Sequence, residues 1–288
     1  MQSSYRLSSG TFTREAGNTE PKRLFFIAAE GTNTETSYLR QLNANLKDMG
    51  CADAVIHVLG RSEIGRSGVA DVYALLEECY QLRKNQQLLP LPAREELEEQ
   101  FTDEDISLLI SGSKELPRQK IRDFHDSLLR MGLNLNYRQY LKSRLSTRDW
   151  FVVVLDRDYD SHDRESLQKI IQNCQRPSFL CCLTNPGIEF WLLLHLVNAN
   201  ELLIPDELGR ILNNKKVSCA HTYVSKWVSD LAHHSKDISP GKFKSIYKTT
   251  LQKARLAAKR FAQTNDEVLD KVGTTITVLM DELFGPLP

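Results

Sequence analysis

The chain carries no net charge: 37 Lys and Arg stand against 37 Asp and Glu in 288 residues. No whole-molecule field therefore draws it to nucleic acid or to a membrane, and any polyanion site has to be a local patch. The six cysteines (Cys51, Cys79, Cys174, Cys181, Cys182 and Cys219) include no CxxC pair and no spacing suited to zinc. No secretory leader is recognisable either, and together these point to a reducing cytoplasm. Long apolar runs are lacking too. The longest fall far short of about 18 residues, so no membrane-spanning segment is expected. The glycine-spaced loop from Gly60 to Gly68 lacks the Gly-Lys-Ser/Thr ending of a P-loop, so this chain is not expected to hydrolyse ATP itself. No internal repeat or low-complexity segment is visible.

What is there reads as alternating strands and helices. Residues 1–20 are polar and rich in Ser, Thr and Gly, which reads as a loose arm. Leu24 to Ala29 is a continuous apolar run ending at Glu30-Gly31, the profile of a strand buried on both faces. A helix follows from Thr34 to about Met49, then a strand at Ala54 to Leu59 and a helix from Val69 to about Arg83. Residues 85–149 are charged, with Pro90, Pro92 and Pro117 between stretches of helical periodicity, and read as a helical insertion. Trp150 to Leu155 and Ser178 to Leu183 are further strands, separated by a helix at 163–174. Asn185-Pro186-Gly187 then turns the chain into an apolar helix, Ile188 to Leu196. The rest reads as helical, over 206–213, 221–233, 240–262 and 273–284. The expected fold class is α/β, a mostly parallel sheet with helices on both faces. The α/β domain would span 21–198, with an all-helical region over 199–288.

Three of the strand ends carry acids: Glu30, then Asp156 and Asp158, then Glu189 just past the Asn-Pro-Gly turn. Open α/β sheets place their ligand sites at such ends. Asp156 and Asp158, two residues apart, point to one side of an extended chain and would repel unless a cation sits between them or one is protonated. Magnesium, taking one or two carboxylates together with substrate phosphate, suits them; Asp160 continues the alternation. An ordinary solvated, Asp-rich turn is the plainer reading of this patch. Glu30 and Glu189 could likewise be acids favoured at helix N-termini. Glu189, fixed by the apolar Phe190-Trp191-Leu192-Leu193-Leu194 run, nevertheless needs a donor or a metal.

The three patches, in this order, resemble the RloB-like (AbiLii-like) family of the Toprim-type metal-dependent nucleases and topoisomerases. Glu30-Gly31-Thr32-Asn33-Thr34-Glu35 matches its Glu-Gly-x-x-Thr-Glu motif, and Val152 to Asp158 its strand ending in Asp-x-Asp. Asn185 to His195 matches Asn-Pro-x-Phe-Glu-x-Trp-Leu-Leu-Leu-His, with Ile188 in place of Phe. Tyr247-Lys248 and Gly273-Thr274-Thr275-Ile276 are similar to the family's tail. The resemblance covers most of the chain except 85–149. It implies a Toprim-like sheet in which Glu30 is general acid/base, Asp156 and Asp158 hold Mg²⁺ or Mn²⁺, and Glu189, with Asp160, completes the metal shell. Glu35, from the first motif, would contact substrate. A cationic group on the phosphate would be Lys248, with Lys242 and Lys244 as rivals. The implied activity is phosphodiester hydrolysis of DNA or RNA in anti-phage defence, with an ATPase as partner protein and no membrane; self-assembly is left open.

From Lys215 to Arg260 there are eleven Lys or Arg against two Asp, a local excess suited to phosphates, though solvated helix faces would look the same. Lys253, Arg255, Lys259 and Arg260 lie on adjoining helical faces, and Arg255 is taken as a substrate contact. His162 is expected in a surface loop and His195 in the core, while His221, His233 and His234 lack metal-like partners. Two rival functions stand beside the nuclease. One is a phosphotransferase with Asp156 as nucleophile, for which Asp158 is followed by the wrong residues. The other is a regulatory subunit that binds nucleic acid or nucleotide without cutting it.

Overall fold

The uninterrupted apolar run after Arg23 forms β1 (Arg23–Ala29), and it occupies an interior position of the sheet, as burial on both faces requires. In the computed structural model β1 pairs with β2 (Ala54–Val58) on one side and β3 (Trp150–Asp156) on the other. β3 pairs with β4 (Phe179–Asn185), and all three ladders are parallel. A fifth strand, β5 (Gly273–Thr274), joins β4 in antiparallel fashion, giving the order β2-β1-β3-β4-β5. The structure describes residues 23–31, 33–59, 68–85, 87–113, 115–144, 148–159, 162–233 and 237–287. The arm at 1–20, the loop at 60–67, Asp160, Ser161 and His234 lie outside them.

Alternation along the strands sorts the side chains. Phe25, Ile27 and Ala29 of β1 join Val152, Val154 and Cys182 in one buried cluster. Phe26 and Phe151 stack at 5.8 Å on the opposite face, and Phe151 stacks on Phe179 at 5.2 Å. Helix α1 (Thr34–Asn45) packs on β2 through Tyr38, Leu39 and Leu42, and ends in a 3-10 turn, Lys47–Met49. Helix α2 (Val69–Asn85) leads into α3 (Leu91–Glu98), α4 (Asp103–Ser111), α5 (Arg118–Met131) and α6 (Leu135–Arg144). Every element described between 85 and 149 is thus a helix. These helices have their own core, which includes Leu97, Phe101, Ile106, Phe124 and Leu128.

The chain divides into two compact units. The helical one takes in 74–147, and the sheet unit takes in 19–58, 67–73 and 148–288. In the sheet unit α7 (Arg164–Asn173) connects β3 to β4, and α8 (Ile188–Leu196) follows β4. Helix α8 is apolar around its whole circumference, the mark of a helix with no solvent face. It is enclosed by β4, α11 (Tyr223–Ala232) and α13 (Leu251–Ala258), and Trp191 to Leu194 have no exposure. Between these helices run α9 (Ala199–Leu202), α10 (Pro205–Asn213) and α12 (Pro240–Lys242); α14 (Asn265–Val268) and α15 (Ile276–Phe284) complete the chain.

The region after 199 departs from an all-helical reading at three places. Residues 240–262 are not one helix, because a π-helical turn, Phe243–Tyr247, separates α12 from α13. Lys216 and Thr222 make an antiparallel bridge within a short hairpin. Gly273–Thr274 is a strand rather than the start of the last helix. A Cβ on Gly273 would stand 2.2 Å from the Ala262 carbonyl oxygen, so only glycine lets β5 pass between that backbone and β4.

The strand order also locates a crevice. From β1 the chain goes to the neighbour on one side, β2, and then to the neighbour on the other, β3. Such a reversal opens a gap beyond the carboxyl ends of the two central strands. Here those ends are followed by Glu30 and terminate in Asp156.

Candidate functional site

Register brings the two acids together. Ala29 lies opposite Val154, and the Glu30 N–H donates to the Val154 carbonyl at 3.1 Å. The Glu30 Oε2 then accepts from the Asp156 N–H at 3.2 Å, linking residues 126 positions apart. One strand further, Asp156 pairs with Thr184, so the turn after β4 starts beside it. The Asn185–Pro186 peptide is cis, and Gly187 is the N-cap of α8. Asp156 Oδ1 accepts from the Ile188 N–H at 2.8 Å, so this carboxylate caps the helix that carries Glu189. A Cβ on Gly187 would lie 2.9 Å from Asp156 Oδ2 and 3.4 Å from Glu189 Oε2. Both oxygens therefore face one point that only glycine leaves open.

The acids feel one another. Burial, followed by the charges of Glu35, Glu189 and Glu30, holds the Asp156 carboxyl well above the usual range, against the opposing effect of the Ile188 N–H. Glu35 is raised to about 7, first by burial and then by Glu189 and Glu30, although its own N–H and that of Gly31 oppose the rise. A divalent cation would relieve this repulsion, and hard carboxylate oxygens are the donors Mg²⁺ and Mn²⁺ prefer. In donor type and charge, then, the residues fit such an ion. Their side chains are not preassembled as a ligand shell: among the described residues no group of three or more His, Cys, Asp or Glu is placed to hold a metal.

Asp156, Asp158 and Glu189 line a cavity of about 410 Å³ together with Tyr159 and Gly187. Asp158 is exposed, and its backbone is fixed by its N–H on the Pro186 carbonyl and by the His162 N–H on its own carbonyl. Glu30 and Glu35 do not line this cavity. Glu35, read as a substrate contact, is 6% exposed and folds back so that Oε1 accepts from the Gly31 N–H at 2.9 Å. Its carboxylate occupies the space a Gly31 side chain would need, which explains the Glu-Gly pair.

His162 is not a surface residue. It is buried, and its Nε2 lies 2.5 Å from Glu30 Oε1, so both Glu30 oxygens are engaged. Arg157, between the two aspartates, points the other way. Buried, with its guanidinium 4.0 Å from the centre of the Tyr159 ring, it donates to the His162 and Leu269 carbonyls and ties the loop down. Neither role has a signal in the sequence, because each depends on a partner from a distant segment or a folded loop.

Lys248, the first choice for the phosphate, is not brought to the acids. Lys248 reaches Asp48 at 3.4 Å, past the end of α1 remote from Glu35, and α1 is about 18 Å long. Lys242 and Lys244 flank the start of the π-helical turn, whose Phe243 and Tyr247 pack on Tyr38 in the middle of α1. Arg255 is 2% exposed and cannot meet substrate; its Nη2 bonds Asp281 and the Gly285 carbonyl, joining α13 to the end of α15. Lys253 donates to the His195 carbonyl and Arg260 to Asn200, so the basic stripe is largely used in holding the tail together. His195 is a core residue, with Nδ1 on Thr250 Oγ1 at 2.9 Å, and burial lowers its pKa to about 3.

Fold and site together define an α/β protein with an acidic crevice at the switch point of a mostly parallel sheet. A family model described as RloB-like protein matches residues 25–283, and the chain belongs to that family. No curated protein and no solved structure matches the chain. Among the described residues no helix is long and apolar enough to cross a membrane.

Proposed function

We propose that the protein is a Mg²⁺- or Mn²⁺-dependent phosphodiester hydrolase, a Toprim-type nuclease subunit acting on DNA or RNA in anti-phage defence with an ATPase partner. The observation that carries this reading is the meeting of Glu30, Asp156 and Glu189, from three distant segments, at the switch point of the sheet. Such a concentration of carboxylate, with Asp156 and Glu35 kept from ionising normally by burial and by each other, is costly unless a cation or substrate uses it.

Asp156 and Glu189 would hold the cation, with Asp158 on the same cavity wall. When bound, it would supply charge neutralisation at the scissile phosphate and acidify a water. Glu30 would accept the proton of the attacking water, and His162, at 2.5 Å from its Oε1, would keep the carboxylate oriented. Arg157 would hold the loop that presents Asp158.

The test is incubation of the purified protein with DNA and with total RNA in Mn²⁺, with and without the ATPase. Wild-type protein should cut one of them, and Glu30→Ala and Asp158→Ala should lose at least about a hundredfold in rate. Equal cutting by both variants would refute the assignment. Binding without cutting by wild-type protein, abolished by Asp156→Ala, would favour the regulatory reading. A covalent phosphoaspartate at Asp156 would favour the phosphotransferase.

A further inference from the structure

The cavity that exposes Asp156, Asp158 and Glu189 has a second wall, built by residues 212–214, 216, 218–222 and 225 from the end of α10, the hairpin and the start of α11. We propose that this wall is a nucleotide phosphate subsite and that Lys216 is its phosphate-binding residue. The inference takes its ligand class from the phosphodiester reading above.

The hairpin is built to hold Lys216 in place. Asn214 adopts a left-handed conformation (φ 40°), and its Oδ1 accepts from the Val224 N–H at 3.0 Å. The Tyr223 N–H donates to the Lys215 carbonyl at 2.9 Å, and the Val217 N–H donates to the His221 carbonyl at 2.9 Å. Ser218 Oγ closes the tip by accepting from the His221 N–H at 3.1 Å and the Ala220 N–H at 3.3 Å. Lys216 and its bridge partner Thr222 both face the cavity.

Charge and size then select the ligand. Lys216 is exposed and makes no ion pair among the described residues, although three carboxylates line the same cavity. An ammonium on one wall and acids on the other suit a phosphate whose far side meets a cation. About 410 Å³ is room for one nucleotide unit. His221 adds a polar group to the same wall. Its Nδ1 lies 3.3 Å from Ser225 Oγ, which also lies 3.3 Å from the Thr222 carbonyl oxygen. In the neutral ring with the proton on Nδ1, Nε2 carries the lone pair, available to a donor on the bound nucleotide.

The experiment is calorimetric titration of adenosine 3′,5′-bisphosphate into wild-type protein, Lys216→Gln and Lys215→Gln in Mg²⁺, with a separate titration of Mn²⁺ alone. Lys215 carries the same charge one residue away and does not line the cavity. Lys216→Gln should weaken the bisphosphate about tenfold while leaving Mn²⁺ affinity unchanged, and Lys215→Gln should bind as wild type does. Wild-type affinity in Lys216→Gln, or equal weakening by both variants, would overturn the subsite. If wild-type protein takes up no Mn²⁺ while Lys216→Gln still loses the bisphosphate, the metal reading fails and the subsite stands.

Discussion

Asp156 serves two purposes with its two oxygens: Oδ1 caps α8 through the Ile188 N–H, while Oδ2 faces Glu189 across Gly187. The structural role needs only an acceptor, and the electrostatic cost of the charge is what points to function. That cost has a pH signature. Glu35 is raised to about 7, so between the ordinary carboxylate pKa and about pH 7 the native state holds a proton that the unfolded chain has released. Its contribution to stability is present in acid and is lost as pH rises through that window; Asp156 acts in the same direction. Glu35→Gln should therefore gain on wild-type protein in melting temperature between about pH 5 and pH 8, by a few degrees, in metal-free scanning calorimetry. A constant difference across that range would show the acids to be independent. Arg255→Ala offers the opposite case. It removes a buried cation that bonds Asp281 and Gly285, and should cost about 3 kcal/mol by denaturant unfolding. Lys248→Ala, breaking a half-exposed pair, should cost under about 1 kcal/mol. A buried arginine could not be told from an exposed one by helical periodicity, since its acceptors lie 26 and 30 residues along the chain.

At the scale of elements, the four parallel strands were legible because a strand buried on both faces leaves a continuous apolar run. So was the turn at Asn185-Pro186-Gly187, whose buried Asn185 donates to the Val268 carbonyl at 2.7 Å. β5 left no such trace. It is two residues long and exists through partners on β4, including the Thr184–Thr274 hydroxyl contact at 2.7 Å and the Leu183 N–H on Thr275 Oγ1 at 2.8 Å. Two glycines test these placements. Gly273→Ala drives a Cβ into the Ala262 carbonyl and should destabilise the fold by about 2 kcal/mol or more in chemical denaturation. Gly187→Ala puts a Cβ 2.9 Å from Asp156 Oδ2 and should lower Mn²⁺ affinity about tenfold with little change in melting temperature. Unchanged affinity would mean that Oδ2 is not a ligand.

At the scale of the whole molecule, zero net charge means that the acids and the few cations act only locally. The acid-bearing strand ends were readable from sequence, and the order β2-β1-β3-β4-β5 turns them into one crevice. The cationic side of the site was not readable. The basic excess after 215 looked like a stripe, whereas folding spends Arg255, Lys253 and Arg260 on the tail and leaves Lys216 on the cavity wall. Binding to a single-stranded oligonucleotide in Ca²⁺ should accordingly fall only shallowly with salt, with a slope of about one to two phosphate contacts in fluorescence anisotropy. A slope of about five or more would place the main contact on a broad basic surface instead.

The cation site can be tested most directly with Mn²⁺ titrated into wild-type protein and Asp156→Asn, followed by electron paramagnetic resonance of the free ion. The Asn side chain can still accept from the Ile188 N–H, so the helix cap survives and only the charge is lost. Saturable Mn²⁺ uptake by wild-type protein, weakened at least about tenfold in Asp156→Asn, is the predicted result. Equal uptake by the two proteins, or none by either, would contradict a metal site at the switch point.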